Sequence, residues 1–184
     1  MRIHVFEAGT DSSSEPAGLR EQADRLREAA WPGGGGHDPA LHPVAMLLED
    51  GGAVLAALDI LRKEITYGGE RLAAGGLSAV VTAASARRRG YGRRLVAAAR
   101  DEMRALGLDA GIFTCDRPLR PFYEAAGWRV LPGTVLVGGT PDAPLASDAP
   151  GFDKVTMGEF FDTRAAVLLG ARVPLYPGSI DRLW

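Results

Sequence analysis

The sequence predicts one domain of the α/β (α+β) class. Apolar segments of strand length recur along the chain, segments with helical spacing interrupt them, and glycines occupy many of the turns between them. The chain has 184 residues, of which 46% are hydrophobic and 24% are charged. These values are typical of a globular protein with one core, so we expect a single domain over residues 1–184.

Two elements are predicted near the amino terminus. Residues 2–6 form a short strand, and residues 15–30 form a helix whose apolar residues recur at spacings of three and four, namely Leu19, Ala23, Leu26 and Ala30. Trp31, Pro32 and four glycines then end the helix. The glycine-rich residues 33–41 favour neither helix nor strand, and we expect a mobile loop of the kind that borders binding sites.

A hairpin and a strand-to-helix unit are predicted in the middle of the chain. Residues 44–48 and 54–65 flank an acidic, glycine-containing turn, which is typical of an antiparallel hairpin, and Gly68-Gly69 marks a second turn. Residues 77–82 have the length of a strand. They lead to a helix over residues 91–106, which Gly107 closes and whose buried face contains Leu95, Ala99, Met103 and Leu106.

The last third of the chain continues this alternation. Strands are predicted over residues 111–115, 128–131, 134–137 and 154–157. Asp116 can cap a helix that has Pro118 in its first turn and ends at Gly127. Three prolines predict a loop over residues 138–151, and residues 177–184 favour no element.

The composition excludes several classes of protein. Cys115 is the single cysteine, so an internal disulfide framework is excluded, and no cysteine and histidine cluster has zinc spacing, so no metal is predicted. No signal peptide is evident, and no apolar run approaches the roughly 18 residues of a spanning helix. We therefore expect a cytoplasmic protein without membrane partners. A net charge of -2 gives no general attraction to nucleic acid.

One motif indicates a binding site for a diphosphate. Arg87-Arg88-Arg89-Gly90-Tyr91-Gly92 lies between a predicted strand and a predicted helix, where several backbone N–H groups converge at the positive end of a helix. A side chain at Gly90 or Gly92 would keep a phosphate from these amides, and the arginines add positive charge. The predicted ligand is a cofactor that carries a diphosphate.

The same residues resemble a signature of the GNAT superfamily of N-acetyltransferases, in which Arg/Gln-x-x-Gly-x-Gly/Ala binds the coenzyme A pyrophosphate. Arg87, Gly90 and Gly92 match it. A second family signature, an aromatic-tyrosine pair followed by Gly-aromatic, is matched within residues 120–128. The resemblance covers about residues 77–131 as the cofactor-binding region. It implies a mixed, mostly antiparallel sheet flanked by helices, and acetyl-CoA as the cofactor.

The resemblance also implies roles for individual residues. The strand at 77–82 would splay from the strand at 111–115, so that the backbone of Val80, Val81 and Thr82 binds the pantetheine arm. Tyr123 matches the tyrosine that protonates the coenzyme A sulfur. The remaining cofactor contacts expected from the loop and from the position of a family asparagine are Arg87, Arg88, Arg89, Gly90, Tyr91, Gly92, Arg93 and Asp116.

The general base is not identified by the sequence. Many relatives have a glutamate on the strand before the pyrophosphate loop, whereas residues 78–82 contain no carboxylate. The candidates are His37, His42, Asp116 and the C-terminal carboxylate of Trp184. The chain resembles the aminoglycoside 2'-N-acetyltransferase branch in its length, its Pro-Gly-Thr strand entry after Gly-Trp, and its tail that ends in tryptophan. Trp184 would then be either catalytic or a hydrophobic anchor.

The function expected is acetyl-CoA-dependent N-acetylation of a small-molecule amine, for example one that resembles an aminoglycoside. The alternative is a non-catalytic acyl-CoA-binding sensor or assembly domain, which the missing glutamate permits. Nucleic-acid binding through five arginines within residues 87–94 is not expected, because no recognition motif accompanies them. Similar proteins commonly pair through their C-terminal strands, which leaves a homodimer open.

Overall fold

The structure of the chain is a computed structural model that describes residues 1–7, 18–34 and 36–175. Within these residues there are ten strands and three α-helices. The helices are α1 (Leu19–Ala30), α2 (Tyr91–Ala105) and α3 (Arg120–Ala125). The strands are β1 (Arg2–Glu7), β2 (Val44–Asp50), β3 (Ala53–Tyr67), β4 (Glu70–Thr82), β5 (Ala110–Asp116), β6 (Arg129–Val130), β7 (Val135–Gly139), β8 (Pro144–Ala146), β9 (Lys154–Phe160) and β10 (Arg172–Pro174).

The strands form two sheets. Seven of them make the main sheet in the order β1-β2-β3-β4-β5-β9-β6, and the other three make a smaller sheet in the order β10-β7-β8. Neighbours in the main sheet are antiparallel, except that β4 and β5 are parallel. The mixed, mostly antiparallel sheet flanked by helices is therefore confirmed.

Glycine pairs set the two long hairpins of the main sheet. Gly51 and Gly52 join β2 to β3, and Gly68 and Gly69 join β3 to β4. All four have positive φ, between 58° and 86°. Two consecutive residues with positive φ match the type I′ turn, whose twist suits an antiparallel hairpin. Residues that have a Cβ adopt this conformation less readily than glycine does. Both predicted turns are confirmed, and the strands extend further than the apolar runs alone indicate.

Helices α1 and α2 cover opposite faces of the main sheet, because successive side chains of a strand point to opposite sides. Met46 of β2 lies in the same core cluster as Leu95 of α2, whereas the next residue, Leu47, lies with Leu19 of α1. A further cluster joins the main sheet to the smaller one. Burial on both faces accounts for the continuous apolar runs of the central strands.

The main sheet opens between β4 and β5. These strands are paired only at Ala74 with Ala110 and at Gly75 with Gly111, and beyond this point they part. On its other side, β4 carries a bulge, because two residues lie between Ser78 and Val81 whereas only one separates their partners on β3. Ala79 in this bulge has a φ of 49°, a left-handed conformation that is uncommon for alanine. The splay that the resemblance implies is therefore present.

The structure corrects the predicted role of Asp116 as a helix cap. Asp116 precedes a short 3₁₀ turn at Arg117–Leu119, and α3 follows, but the Asp116 side chain makes no capping hydrogen bond. Its Oδ1 instead lies 2.6 Å from Nζ of Lys154, its neighbour on β9. The capping prediction is wrong because a lysine on the adjacent strand attracts the carboxylate. The loop predicted over residues 138–151 is also interrupted by β8.

No helix among the described residues is long and apolar enough to cross a membrane. Those residues also contain no group of three or more histidine, cysteine and acidic side chains arranged to hold a metal ion.

Candidate active site

The loop between β4 and α2 forms a cradle of backbone N–H groups. Gly90 precedes α2 with a φ of 81°, and Arg88 is also left-handed at 62°. No side chain caps α2, and within the described part of the chain no acceptor is found for the backbone N–H groups of residues 88–92. Unpaired donors at the positive end of a fifteen-residue helix form an anion site.

The two glycines of this loop serve different purposes. A Cβ added at Gly90 would meet only a guanidinium nitrogen of Arg93, at 3.8 Å, so the space above this residue is open. A Cβ added at Gly92 would lie 2.6 Å from Oγ1 of Thr82 and 3.5 Å from the Phe122 ring. Gly90 therefore keeps the cradle accessible to a ligand, whereas Gly92 lets α2 approach β4 closely. The sequence argument assigned phosphate access to both.

The arginines of the loop carry charge that no carboxylate in the described part of the chain neutralises. Among the described residues, none of Arg87, Arg88, Arg89 and Arg93 forms an ion pair with a carboxylate. Nε of Arg87 donates to the carbonyl of Thr82 at 3.3 Å, and the Arg89 guanidinium lies over the Tyr91 ring. Uncompensated guanidinium groups beside free amides are suited to a pyrophosphate, which accepts several hydrogen bonds at once.

A cavity of about 950 Å³ joins this cradle to the opening beside β4. Its size is within the range of ligand sites. The lining brings together nearly all the residues that the sequence assigned to the cofactor, which are Val80, Val81, Thr82, Arg87, Arg88, Arg89, Gly90, Tyr91, Gly92 and Arg93. Asp116 is not among the lining residues, because its side chain pairs with Lys154. We call this space the first cavity.

Tyr123 also lines the first cavity. It lies on α3, is 7% exposed, and its ring packs against Phe113 at 5.1 Å and against Phe122 at 5.0 Å. Burial raises the pKa of the Tyr123 phenol well above its ordinary value, and the charges that Cys115 and Asp116 carry when ionised act in the same direction. The hydroxyl is therefore a hydrogen-bond donor across the physiological pH range.

Trp128 holds the elements around Tyr123 together. Its ring is 1% exposed and packs edge-on against Phe113, with ring centroids 4.9 Å apart. Its Nε1–H donates to the carbonyl of Val96 in α2 at 3.2 Å. A Cβ at Gly111 would lie 2.7 Å from this ring, so the indole can pack against β5 only because residue 111 has no side chain. One side chain thus fixes α2 and β5 around the aromatic group that includes Tyr123.

A second cavity, of about 970 Å³, lies at the other end of the bulge. It is lined by residues of α1, by the residues that follow α1, and by Asp59 of β3 with Ser78 and Ala79 of β4. Val80 continues the strand into the first cavity, and Trp31 lines both spaces. The two cavities therefore meet at the β4 bulge and at Trp31.

Asp59 is the main feature of the site that the sequence did not reveal. It is 6% exposed, and its Oδ1 accepts a hydrogen bond of 2.8 Å from Arg27. Its Oδ2 lies 3.3 Å from Nε2 of His37. The signal in the sequence is a single acidic residue within the otherwise apolar run 54–61.

The structure separates the other candidates for the general base. His37 lines the second cavity. His42 is exposed and lines neither cavity, and its carbonyl accepts a hydrogen bond from Arg62. Trp184 lies outside the described residues, as do residues 15–17 of the predicted first helix. Of the four candidates, only His37 is shown beside the β4 bulge.

Cys115 of β5 is buried and lines neither cavity. It is 4% exposed, and burial raises the pKa of its thiol to about 11. The thiolate is the nucleophilic form of cysteine, and this thiol keeps its proton at neutral pH. Acyl transfer through Cys115 is therefore not supported.

Replacing Cys115 with alanine should flatten the alkaline part of the stability profile. Because the folded state holds the thiol proton more tightly than the unfolded state, this contribution is complete below about pH 9 and is lost as the pH rises through about 11. We expect the Tm of the wild-type protein to fall about 3 °C further than that of the variant between about pH 8 and pH 11. Thermal unfolding followed by circular dichroism measures this difference, and equal slopes would contradict it.

Comparisons with known proteins agree with this geometry. Residues 36–131, just over half of the chain, match the family model described as the acetyltransferase (GNAT) domain. An acyl-CoA N-acyltransferase from Pseudomonas aeruginosa is 15% identical, with a TM-score of 0.57 over 86% of this chain and 99% of its own. The aminoglycoside 6'-N-acetyltransferase from Enterococcus faecium is 18% identical, with a TM-score of 0.57 over 87% of this chain and 97% of its own.

A third solved structure is an aminoglycoside 6'-N-acetyltransferase complexed with coenzyme A. It is 17% identical, with a TM-score of 0.57 over 87% of this chain and 97% of its own. No curated protein sequence matches the chain. Because the three solved structures are less than 25% identical to this chain, they show that the fold is shared. The family itself is shown by the match to the family model.

Proposed function

Because the chain belongs to the GNAT family of N-acetyltransferases, which use acetyl-CoA, we propose that it transfers the acetyl group to the amine of a small molecule bound in the second cavity. The observation that carries this proposal is the meeting of two cavities at the β4 bulge. One of them has the donors that a pyrophosphate needs, and the other reaches the same strand from the opposite side. Two substrates that must react together need such an arrangement.

The cofactor is proposed to bind within residues 77–131. The unpaired amides of residues 88–92 and the arginines beside them would hold the pyrophosphate. The backbone of Val80, Val81 and Thr82, exposed where β4 parts from β5, would pair with the pantetheine arm. Acetyl-CoA supplies an activated acetyl group on sulfur. The protein's part is to align that group with the amine and to stabilise the charges that develop.

Tyr123 is proposed to donate a hydrogen bond to the departing sulfur. The family resemblance assigns it the protonation of that sulfur, and burial holds its pKa above the ordinary value of a phenol, which is about 10. An ordinary thiol has a pKa of about 8.5, so the phenol holds its proton more tightly than the departing sulfur would. A donor that keeps its proton stabilises a developing anion in the same way as an oxyanion-hole group.

The finer proposal is an amine that resembles an aminoglycoside. It is supported by the sequence features shared with the 2'-N-acetyltransferase branch, and two structures of the same fold are aminoglycoside 6'-N-acetyltransferases. The lining of the second cavity combines three arginines with the carboxylates of Asp24, Glu28 and Asp59, so its charge does not single out one kind of amine. The panel of acceptors should therefore contain aminoglycosides, amino sugars and simple diamines.

The test combines calorimetric titration with acetyl-CoA and a thiol-release assay over this panel. Saturable binding and thiol release with at least one amine are expected. Binding without release on any amine would instead favour the non-catalytic acyl-CoA-binding domain, which the family assignment does not favour. Absence of binding to the folded protein would overturn the proposed cofactor site.

Replacing Gly90 with alanine should weaken acetyl-CoA binding by about 10-fold or more, because the new Cβ stands over amides that donate to a charged group. Gly107 provides a matched control at the other end of α2. It has a φ of 70° and open space around it, so its replacement by alanine causes a similar backbone strain without approaching the cradle. Calorimetry on both variants measures the effect. Equal Kd values in the two variants would contradict the cradle.

A further inference from the structure

The two tryptophans that the structure describes have different surroundings. Trp128 is 1% exposed, and its Nε1–H donates to the carbonyl of Val96. Trp31 is 48% exposed, and its indole N–H has no acceptor among residues 1–7, 18–34 and 36–175. A tryptophan that stabilises a core buries its ring and pairs its N–H, as Trp128 does. Trp31 does neither, so packing within the protein does not account for an indole at this position.

The backbone of Trp31 is nevertheless held in place. Trp31 directly follows α1, and its N–H donates to the carbonyl of Arg27 at 2.8 Å. Its own carbonyl accepts a hydrogen bond of 3.0 Å from Gly34, and the Glu28 carboxylate accepts one of 2.9 Å from the N–H of Gly33. These bonds close a tight turn after the helix. The turn presents a large side chain from a fixed point and leaves about half of its surface uncovered.

Trp31 lies where the two cavities meet. Within the described part of the chain, it is the one residue that lines both of them. On β4, Ala79 lines the second cavity and the next residue, Val80, lines the first. An acetyl group that passes from a cofactor in one cavity to an amine in the other must reach this junction, because the reacting atoms have to approach each other closely. The indole therefore lies beside the reacting groups.

We propose that Trp31 binds both substrates: its indole contacts the acyl end of acetyl-CoA in the first cavity and the amine-bearing acceptor in the second. The inference rests on the proposed function and deepens it, because it names a residue that the two substrates share. An indole suits this position, since its ring offers apolar area to the acyl group and its face attracts the ammonium groups of an acceptor. The unpaired N–H can donate to an oxygen of either ligand.

A shared contact makes the binding of the two ligands cooperative. Acetyl-CoA in the first cavity orders the exposed indole, and the acceptor then meets a surface that is already fixed. The coupling is reciprocal, so the acceptor strengthens cofactor binding by the same factor. Couplings between two sites typically change the affinity by about 5- to 150-fold, and we expect about 10-fold here.

The first test follows the fluorescence of Trp31. S-ethyl-coenzyme A carries an ethyl group where acetyl-CoA carries acetyl, and this thioether cannot transfer it. The analogue is titrated into the wild-type protein and into Trp31→Phe, with selective excitation of tryptophan. Saturable quenching or a blue shift is expected in the wild-type protein, because the ligand covers the exposed indole, and most of this change should be absent from the variant. Changes of equal size in both proteins would overturn the contact with the cofactor.

The second test measures the coupling by calorimetry. The Kd of S-ethyl-coenzyme A is determined with and without a saturating concentration of an amine that the panel identifies. The amine should lower this Kd about 10-fold in the wild-type protein and less than about twofold in Trp31→Ala. Trp31→Phe keeps an aromatic face and should retain part of the coupling. Leu169→Ala is the matched control, because Leu169 is 55% exposed and lines neither cavity, and its coupling should equal that of the wild type.

The outcomes distinguish this inference from the proposed function. If the wild-type protein acetylates an amine but Trp31→Ala keeps the full coupling, the shared contact is overturned while the proposed function stands. If the wild-type protein releases no thiol with any amine, the proposed function fails, and this inference with it. Thermal unfolding establishes that each variant is folded, which is expected because Trp31 is half exposed.

Discussion

Replacing Tyr123 with phenylalanine should lower kcat by about 10²- to 10³-fold and leave the Kd for acetyl-CoA within about twofold. The variant keeps the ring that packs against Phe113 and Phe122, so the cavity retains its shape. It loses only the hydroxyl. If that hydroxyl stabilises the departing sulfur, its loss raises the transition state without affecting the bound ground state.

Steady-state thiol release and calorimetric titration measure the two quantities separately. Tyr67→Phe is a suitable control, because it removes a hydroxyl at the end of β3, away from both cavities. Its kcat should equal that of the wild-type protein. Retention of full kcat by Tyr123→Phe would show that the phenol has no part in the chemical step and that Tyr123 is a core aromatic residue.

The largest loss of stability is expected on replacement of Trp128 with alanine. Trp128 is almost completely buried, and its loss leaves a cavity between α2, β5 and α3 and removes the hydrogen bond from its Nε1–H to the carbonyl of Val96. Substitutions of this kind lower the free energy of unfolding by about 3–5 kcal/mol. Because Trp128 packs on Phe113, which packs on Tyr123, acetyl-transfer activity should fall as well.

Urea denaturation at constant pH measures the free energy of unfolding, and an unchanged m-value would show that the unfolding reaction is the same. Trp31→Ala is the comparison variant, since Trp31 is 48% exposed and its removal should cost less than about 1 kcal/mol. A loss at Trp128 as small as the loss at Trp31 would contradict the role assigned to the buried indole.

The cradle of backbone N–H groups before α2 could be predicted because its residues are contiguous in the sequence. Gly90, the arginines and the start of α2 lie within a few residues of one another, and each constrains the local backbone. The hairpins were predictable for the same reason, because the Gly51-Gly52 and Gly68-Gly69 pairs define their own turn geometry. These features do not depend on how distant segments pack.

The pairing of Asp59 with His37 could not be predicted, because it depends on tertiary structure. Asp59 faces the second cavity only through the register of β3 with β4, and that register is shifted by one bulge. Arg27 reaches the same carboxylate only because α1 packs on this face of the sheet. Asp116 failed as a cap for the related reason that β9 brings Lys154 beside it. Hydrophobic periodicity and amino-acid composition do not indicate which residues from distant segments come into contact.

The opening between β4 and β5 also separates two parts of the main sheet. The parts differ in the sequence separation between their paired strands. On one side, β2, β3 and β4 are joined by two-residue turns, so their pairing closes short loops. On the other side, Asp116 of β5 meets Lys154 of β9, which is 38 residues away in the sequence. Local pairings form faster than distant ones.

The amino-terminal hairpins are therefore expected to assemble before the β5 and β9 pair docks against them. Only two register pairs join β4 to β5 once both parts have formed. The junction between the two parts therefore has few backbone hydrogen bonds, although it lies near the centre of the sheet. The opening between β4 and β5, where the last strands are expected to dock, is also the place where the first cavity reaches the sheet.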